Sequence, residues 1–222
     1  QYRSNSLLPS ENELAREYDV SRETIRKALL LLLENGYIHK IQGKGSIVLD
    51  VHRYRLPVTG LLSFKERRQF QDVEATTKVI VNEEVEAPDF LVRLGLVKRG
   101  EKLIYLVRQR IVDGEAVILD KDYIRKSAIG ELPTDRVEES LYEYLENDLG
   151  IKISYGNKDF KIEPVSEEDS TYIDLNGHKH IAVLRSDVYT EGTDFLHYTE
   201  SRHRVDKFHF SEFARRKSNR IN

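Results

Sequence analysis

The 222-residue chain contains no cysteine and no methionine. The lack of cysteine excludes a disulfide, a thiolate zinc site and a thiol nucleophile. The lack of methionine departs from ordinary composition, since a chain of this size usually carries several. No stretch is long and apolar enough to cross a bilayer, and there is no signal peptide or lipidation motif, so no membrane partner and a cytoplasmic location are expected. Internal repeats and low-complexity tracts are missing too. Seven histidines are scattered along the chain. The one close pair, His178 and His180, lies in a turn-like Asn-Gly-His-Lys-His stretch without carboxylate or thiolate ligands at metal spacing. It reads as a solvated loop, and neither metal nor cofactor is expected. An excess of one charge is also absent. Lys and Arg number 35 against 38 Asp and Glu, for a formal net charge of −3. Residues 1–50 are balanced as well, with seven of each sign. Any nucleic-acid contact must therefore depend on where cations sit rather than on their total.

What is present begins with Pro9–Val48, which reads as helix, tight turn, helix and β-hairpin. Ser10 precedes Glu13 by three residues, a capping-box spacing ahead of Leu14 and Ala15. Asp19-Val20 interrupts the pattern, and Ser21 can cap a second helix. Ile25, Ala28, Leu29 and Leu32 follow helical spacing and predict its buried face. Arg22, Arg26 and Lys27 lie off that stripe. Asn35-Gly36 ends the helix. Tyr37-Ile38 and Ile47-Val48 then flank Gln42, Gly43, Lys44 and Gly45, a hairpin with a basic, glycine-rich tip. Gly43-Lys44-Gly45 lacks Walker spacing, so no NTPase is read here. Two helices joined by a short turn, the second with cations at its exposed start, fit a helix-turn-helix whose second helix enters the major groove. Four of the five cations from Arg22 to Lys44 fall on that helix start or the hairpin tip, so DNA binding should be salt-sensitive.

Residues 50–57 are polar and basic and end in proline, a linker signature. Beyond them, strands are predicted over Lys78–Val85, Lys102–Val112, Ala116–Tyr123, Lys158–Val165 in the stretch that begins at Ile153, Ile181–Tyr189 and Phe195–Val205. Asp113-Gly114 is a hairpin signal between the second and third. Helices are predicted over Asp89–Leu96, over Val137–Asn147 with Leu141, Tyr144 and Leu145 inward, and from Ser166. Arg215–Asn222 is a basic, polar tail. Hairpin-joined strands separated by single helices give an α+β domain on an antiparallel sheet, able to enclose a ligand. Arg108 and Arg110 share one strand face, a cationic ridge that suits phosphate unless Asp120 or Glu115 pairs with it across the hairpin. No catalytic triad, metal cluster or carboxylate pair stands out by spacing, so an enzyme is not expected.

LPSENELAREYDVSRETIRKAL, ENGYI and QGKGSIV resemble the winged helix-turn-helix of GntR-type bacterial transcription regulators. These carry one more helix ahead of this run. Here only QYRSNSL precedes it, which implies that the first helix is missing or incomplete. LLSFKE, VRQRIVDGEAV, ESLYEYLENDLGI and ESRHRVDKFHF are similar to the effector-binding domain of the HutC-like branch, which shares a fold with chorismate lyase. Within that branch the ending RHRVDKFHFSEFARR is most like trehalose operon repressors. The resemblance implies a DNA-binding domain over 1–49, a linker over 50–57, and an effector-binding and dimerisation domain over 58–222.

For DNA, the resemblance implies contacts from Asn12, Ser21, Arg22, Thr24, Arg26 and Lys27, and from Gln42, Gly43, Lys44 and Gly45 of the wing. Arginine can grip guanine in two places. For the effector it implies Ser63, Phe64, Arg108, Arg110 and Ser140 around a phosphate, with Ser140 near a helix start. Asp120, Tyr142, His197, Glu200, Arg202 and His203 would face the sugar. His197 and His203 replace the acidic and tyrosine residues of amino-sugar-phosphate sensors, which argues against an amino sugar. The function implied is a repressor that binds a pseudo-palindromic double-stranded operator as a homodimer and releases it when a sugar phosphate, trehalose 6-phosphate, binds. Alternatives are an activator, a sensor of another phosphosugar or small metabolite, and a lyase-like enzyme.

Overall fold

A computed structural model describes residues 2–49, 61, 64, 65 and 74–209. They belong to two compact units, residues 2–49 in one and residues 61–209 in the other. The expected linker over 50–57, Ser63 and the basic tail lie outside the described residues.

The N-terminal unit starts with α1 (Glu11–Glu17). Ser10 accepts from the Glu13 amide, and the Glu13 carboxylate accepts the Ser10 amide at 2.8 Å, so the predicted capping box forms. Asp19 turns the chain with φ of 50°. Ser21 then caps α2 (Arg22–Glu34), which ends at Gly36 with φ of 76°, a left-handed position that glycine takes without strain. The strands β1 (Ile38–Ile41) and β2 (Gly45–Val48) pair antiparallel and carry the wing turn between them. Leu14, Ile25 and Ile38 form the buried centre. The predicted stripe on α2 is only partly covered. Ile25 is buried and Leu29 half-buried, but Ala28 and Leu32 are exposed. Among the described residues α2 packs on α1 and one short hairpin, and its covered positions are Ile25, Leu29 and Leu33.

The second unit is built on a six-stranded antiparallel sheet in the order β3-β4-β5-β8-β7-β6. The strands are β3 (Ala75–Glu86), β4 (Lys102–Val112), β5 (Glu115–Arg125), β6 (Ile153–Pro164), β7 (His180–Thr190) and β8 (Phe195–Arg204). Two three-stranded meanders, β3-β4-β5 and β6-β7-β8, are joined by the β5–β8 pairing. Asp113 and Gly114 both have positive φ, 51° and 82°, which matches the twist of the β4–β5 hairpin. α3 (Asp89–Arg93) and α7 (Glu167–Tyr172) contribute apolar side chains to clusters with Leu103 and Tyr198 and with Val107, Leu119 and Val183. α4 (Lys126–Ile129) follows β5.

The helix predicted over Val137–Asn147 is interrupted. α5 (Thr134–Glu139) stops at Ser140, whose backbone is extended with φ of −164° and ψ of 118°. A new turn, α6 (Leu141–Glu143), starts there and runs into a π-helical turn over Tyr144–Asp148. The reason is local. The Ser140 hydroxyl accepts the Glu143 amide and so caps the second piece instead of continuing the first. The inward residues remain as predicted: Leu141, Tyr144 and Leu145 pack with Val137 on Ile104, Leu106, Ile124 and Leu196.

Candidate functional site

Side chains alternate along a strand, so one sheet face collects Arg108 and Arg110 from β4, Asp120 and Asp122 from β5, and His197, Thr199 and Ser201 from β8. This face lines a cavity of about 70 Å³. Ser140, Leu141 and Tyr142 wall it from the interrupted helix. Leu184, Ser186 and Lys158 bound it from β7 and β6, and Leu61, Phe64 and Lys65 complete the lining. Lys65 is anchored to Glu139 at 2.9 Å and Glu143 at 2.7 Å.

The arginine ridge is not a bare row of cations. Arg108 Nη2 donates to Asp122 at 2.7 Å, and Arg110 Nε donates to Asp120 at 2.8 Å. Both pairs are buried. Glu115, the other partner considered from the sequence, instead binds Arg204. Arg110 also donates to Thr77 at 2.6 Å and lies under the Phe64 ring at 4.6 Å. Arg108 Nη1 reaches the Val137 carbonyl at 3.4 Å, while its Nε has no hydrogen-bond partner among the described residues. Burial and the neighbouring Arg108 lower the Arg110 guanidinium to about 10, against the pull of Asp120, so it stays charged at neutral pH. Burial by itself would raise the Asp120 carboxyl, but Arg110, Arg108 and the Ser201 hydroxyl outweigh it and hold Asp120 well below the usual range. Asp122 also accepts from Thr199.

His197 is 1% exposed, and neither ring nitrogen has a hydrogen-bond partner among the described residues. Its ring stands edge-on to Tyr142, with centroids 5.8 Å apart. Burial pushes its pKa down to about 4, against the pull of Asp122 and with help from Arg108. It is therefore neutral at physiological pH.

Of the three remaining residues expected beside the sugar, two go elsewhere. Glu200 and Arg202 lie on the opposite sheet face, because positions 198, 200 and 202 alternate with 197, 199 and 201. There Arg202 grips Asp169 through two bonds of 2.6 and 2.8 Å, and Glu200 accepts from Arg185 at 2.7 Å. They stabilise the sheet and α7 rather than line the cavity. His203 is on the cavity face and bonds Ser201 at 2.8 Å. That pair does not make an activated serine. The Ser201 hydroxyl donates to the Asp120 carboxylate, which leaves the histidine to donate to its oxygen.

Sequence reasoning missed Asp122, Thr199, Ser201, Ser186 and Lys158. Strict two-residue alternation from His197 and from Asp120 would have found the first three.

In the N-terminal unit Arg22 and Arg26 are largely exposed on α2, and each already has a carboxylate neighbour. Arg22 Nε is 3.2 Å from Glu11, and Arg26 is 3.0 Å from Glu23. Ser21 and Thr24 hydroxyls bond each other at 2.8 Å at the helix start. Asn12 and Lys27 are exposed, as are Gln42, Gly43, Lys44 and Gly45 at the wing tip. Among the described residues there is no group of three or more potential metal ligands. No helix among them is long and apolar enough to cross a membrane.

The model of the gntR family of bacterial regulatory proteins matches residues 1–48, and the UTRA domain model matches residues 71–209. The chain is 46% identical over 217 residues to the HTH-type transcriptional regulator TreR of Bacillus subtilis, covering 97% of this chain and 90% of that protein. The solved effector-binding domain of the B. subtilis trehalose repressor covers 64% of this chain and is itself 99% covered, with a TM-score of 0.59 and 39% identity. The structure of YydK, a possible transcriptional regulator of B. subtilis, has a TM-score of 0.79 at 22% identity, covering 96% of this chain and 92% of that one, and shows the shared fold.

Proposed function

The chain belongs to the GntR family of bacterial regulatory proteins, with a UTRA domain after its winged helix, and from that premise we propose that it is a repressor released from its operator by trehalose 6-phosphate. It acts as a homodimer that sets two winged helices on a pseudo-palindromic site. The observation that carries the effector reading is the cavity on the sheet, which is walled by hydroxyls, carboxylates and buried arginines. Two arginines and two lysines line it against Asp120, Asp122 and Glu139, a balance that favours an anion bearing many hydroxyls. The trehalose repressor name of the relative at 46% identity supports the same sugar.

Binding reaches DNA only if the effector favours one arrangement of the UTRA domain over another. That difference in affinity between two arrangements is what coupling requires.

Calorimetry on the full chain with trehalose 6-phosphate, trehalose, glucose 6-phosphate and N-acetylglucosamine 6-phosphate tests the reading. Trehalose 6-phosphate should bind at sub-millimolar concentration and weaken DNA binding, and trehalose should bind much more weakly. Equal binding of trehalose and its phosphate would remove phosphate recognition from the cavity. Light scattering of the same samples should give a dimer, and a monomer at micromolar concentration would remove the two-fold operator reading.

On the DNA side, Arg22→Ala or Arg26→Ala should abolish operator preference and leave effector affinity nearly unchanged. Losing a two-pronged contact to guanine costs about 1–3 kcal/mol. Both side chains are exposed, so their ion pairs with Glu11 and Glu23 yield readily to DNA. Gel shifts on operator and scrambled DNA measure the change. The same loss on both DNAs would assign these arginines to phosphates.

A further inference from the structure

We infer that His197 and Arg108 Nε form a hydroxyl-reading subsite that selects a pair of adjacent, unsubstituted sugar hydroxyls and rejects an ammonium group there. The inference rests on the sugar-phosphate reading of the cavity and names what its His197 end recognises.

Buried polar atoms almost always find partners, because leaving one unpaired carries its full desolvation cost. Here three such nitrogens lie on two side chains around one carboxylate: Arg108 Nε and both ring nitrogens of His197. Both residues line the same cavity and are under 5% exposed. His197 Nδ1 is 3.8 Å from Asp122 Oδ1, too far for a hydrogen bond. Asp122 is already engaged by Arg108 and Thr199. The arginine is held by Asp122 and the Val137 carbonyl, so it offers the cavity a single N–H and not a two-pronged fork.

The ligand chemistry follows from the donors and acceptors left over. A neutral imidazole has one N–H to give and one nitrogen that accepts. Arg108 Nε only gives. An acceptor-only group such as phosphate satisfies two of the three atoms and leaves the accepting nitrogen bare. Two neighbouring hydroxyls, each able to give and to accept, satisfy all three. An ammonium group has no lone pair for Arg108 Nε and leaves that N–H bare. Arg110 lines the same cavity two residues beyond Arg108 along β4 and is the cation left for the phosphate.

The test uses the full chain as wild type, His197→Phe and His197→Gln, with trehalose 6-phosphate, glucose 6-phosphate, glucosamine 6-phosphate and inorganic phosphate as probes in calorimetry. His197→Phe should weaken trehalose 6-phosphate at least tenfold and leave inorganic phosphate unchanged. His197→Gln, which keeps one donor and one acceptor, should recover most of the loss. Nitrogen NMR of wild-type His197 should show a neutral ring at pH 6, free of a bond to Asp122 without ligand and shifted by trehalose 6-phosphate. A ring already bonded to the Asp122 carboxylate, or an equal loss for sugar phosphate and inorganic phosphate in His197→Phe, overturns the subsite and leaves the effector reading standing. If trehalose 6-phosphate fails but glucose 6-phosphate binds with the same dependence on His197, the effector reading falls and the subsite stands. Binding of none of the four overturns both.

Discussion

Arg108→Ala should lower the unfolding free energy by about 3–5 kcal/mol, the range found when one partner of a buried ion pair is deleted. The side chains of Arg108 and Asp122 are 5% and 2% exposed, so removing the guanidinium strands a carboxylate away from water. Thr199 still donates to it, but a single hydroxyl does not balance a buried charge. Adding Asp122→Asn to Arg108→Ala should therefore recover more than half of the loss, because a neutral amide replaces the stranded charge. Urea denaturation of wild type and the single and double variants measures this. A double variant less stable than Arg108→Ala would mean that the lost packing of the long arginine side chain, and not the charge, dominates. The same reasoning qualifies any effector assay on Arg108→Ala: loss of response counts only at a temperature where the variant is folded.

Stability should also fall by roughly 3 kcal/mol as pH drops from about 6.5 to about 4, and His197 is the cause. Its folded pKa is depressed to about 4 by burial, against an ordinary 6.5. The neutral form contributes its full stabilisation above the unfolded value. Below about 6.5 the unfolded chain takes up a proton that the buried ring refuses, so stability declines until the folded ring titrates too. Asp122, Arg108 and Tyr142 are the groups facing the ring. Asp120 and Asp169 add a later phase. Their folded pKa values are lowered, by Arg110 and Arg108 in one case and by Arg202 and the Ser166 amide in the other, in both cases against the effect of burial. Their contribution is present above about 4 and is lost as pH falls further. Urea midpoints at pH 7, 5.5, 4.5 and 3 resolve the two phases. In His197→Gln the first should flatten and the second persist; an unchanged slope between pH 6.5 and 4 would remove His197 from the account.

These expectations show which features were legible in sequence. The capping box at Ser10, the looser Ser-to-Asp spacing at Ser166, the Asp113-Gly114 turn and the alternating runs located most helices and strands, because each depends on neighbours a few residues apart; β6 nonetheless starts at Ile153, five residues before the predicted strand, and the short helix Lys126–Ile129 was not predicted. The break at Ser140 was not legible. The apolar period carries on across it through Val137, Leu141 and Tyr144, and only the serine's capping bond reveals the new helix start. The cavity was half legible. Arg108, Arg110 and Asp120 were identified, and pairing of the arginines with Asp120 was one of the readings, which Arg110 bears out; Asp122 was missed, since its pair with Arg108 is diagonal across strands and has no signature in a linear pattern. Glu200 and Arg202 were grouped with His197 by motif, where parity along β8 sets them on the far face.

The β5–β8 pairing has a consequence for kinetics. The hairpins β4–β5 and β7–β8 close over a few residues, the kind of event that takes microseconds. The pairing between the two meanders brings together Asp120 and Ser201, 81 residues apart, and Asp122 and Thr199, 77 apart. Those same four residues line the cavity. The cavity therefore does not exist until the most distant contacts of the sheet have formed. A ligand that needs them cannot assist the early steps, so it should leave the refolding rate unchanged and slow unfolding, which stopped-flow chevrons with and without trehalose 6-phosphate would register as a shift of the unfolding arm alone.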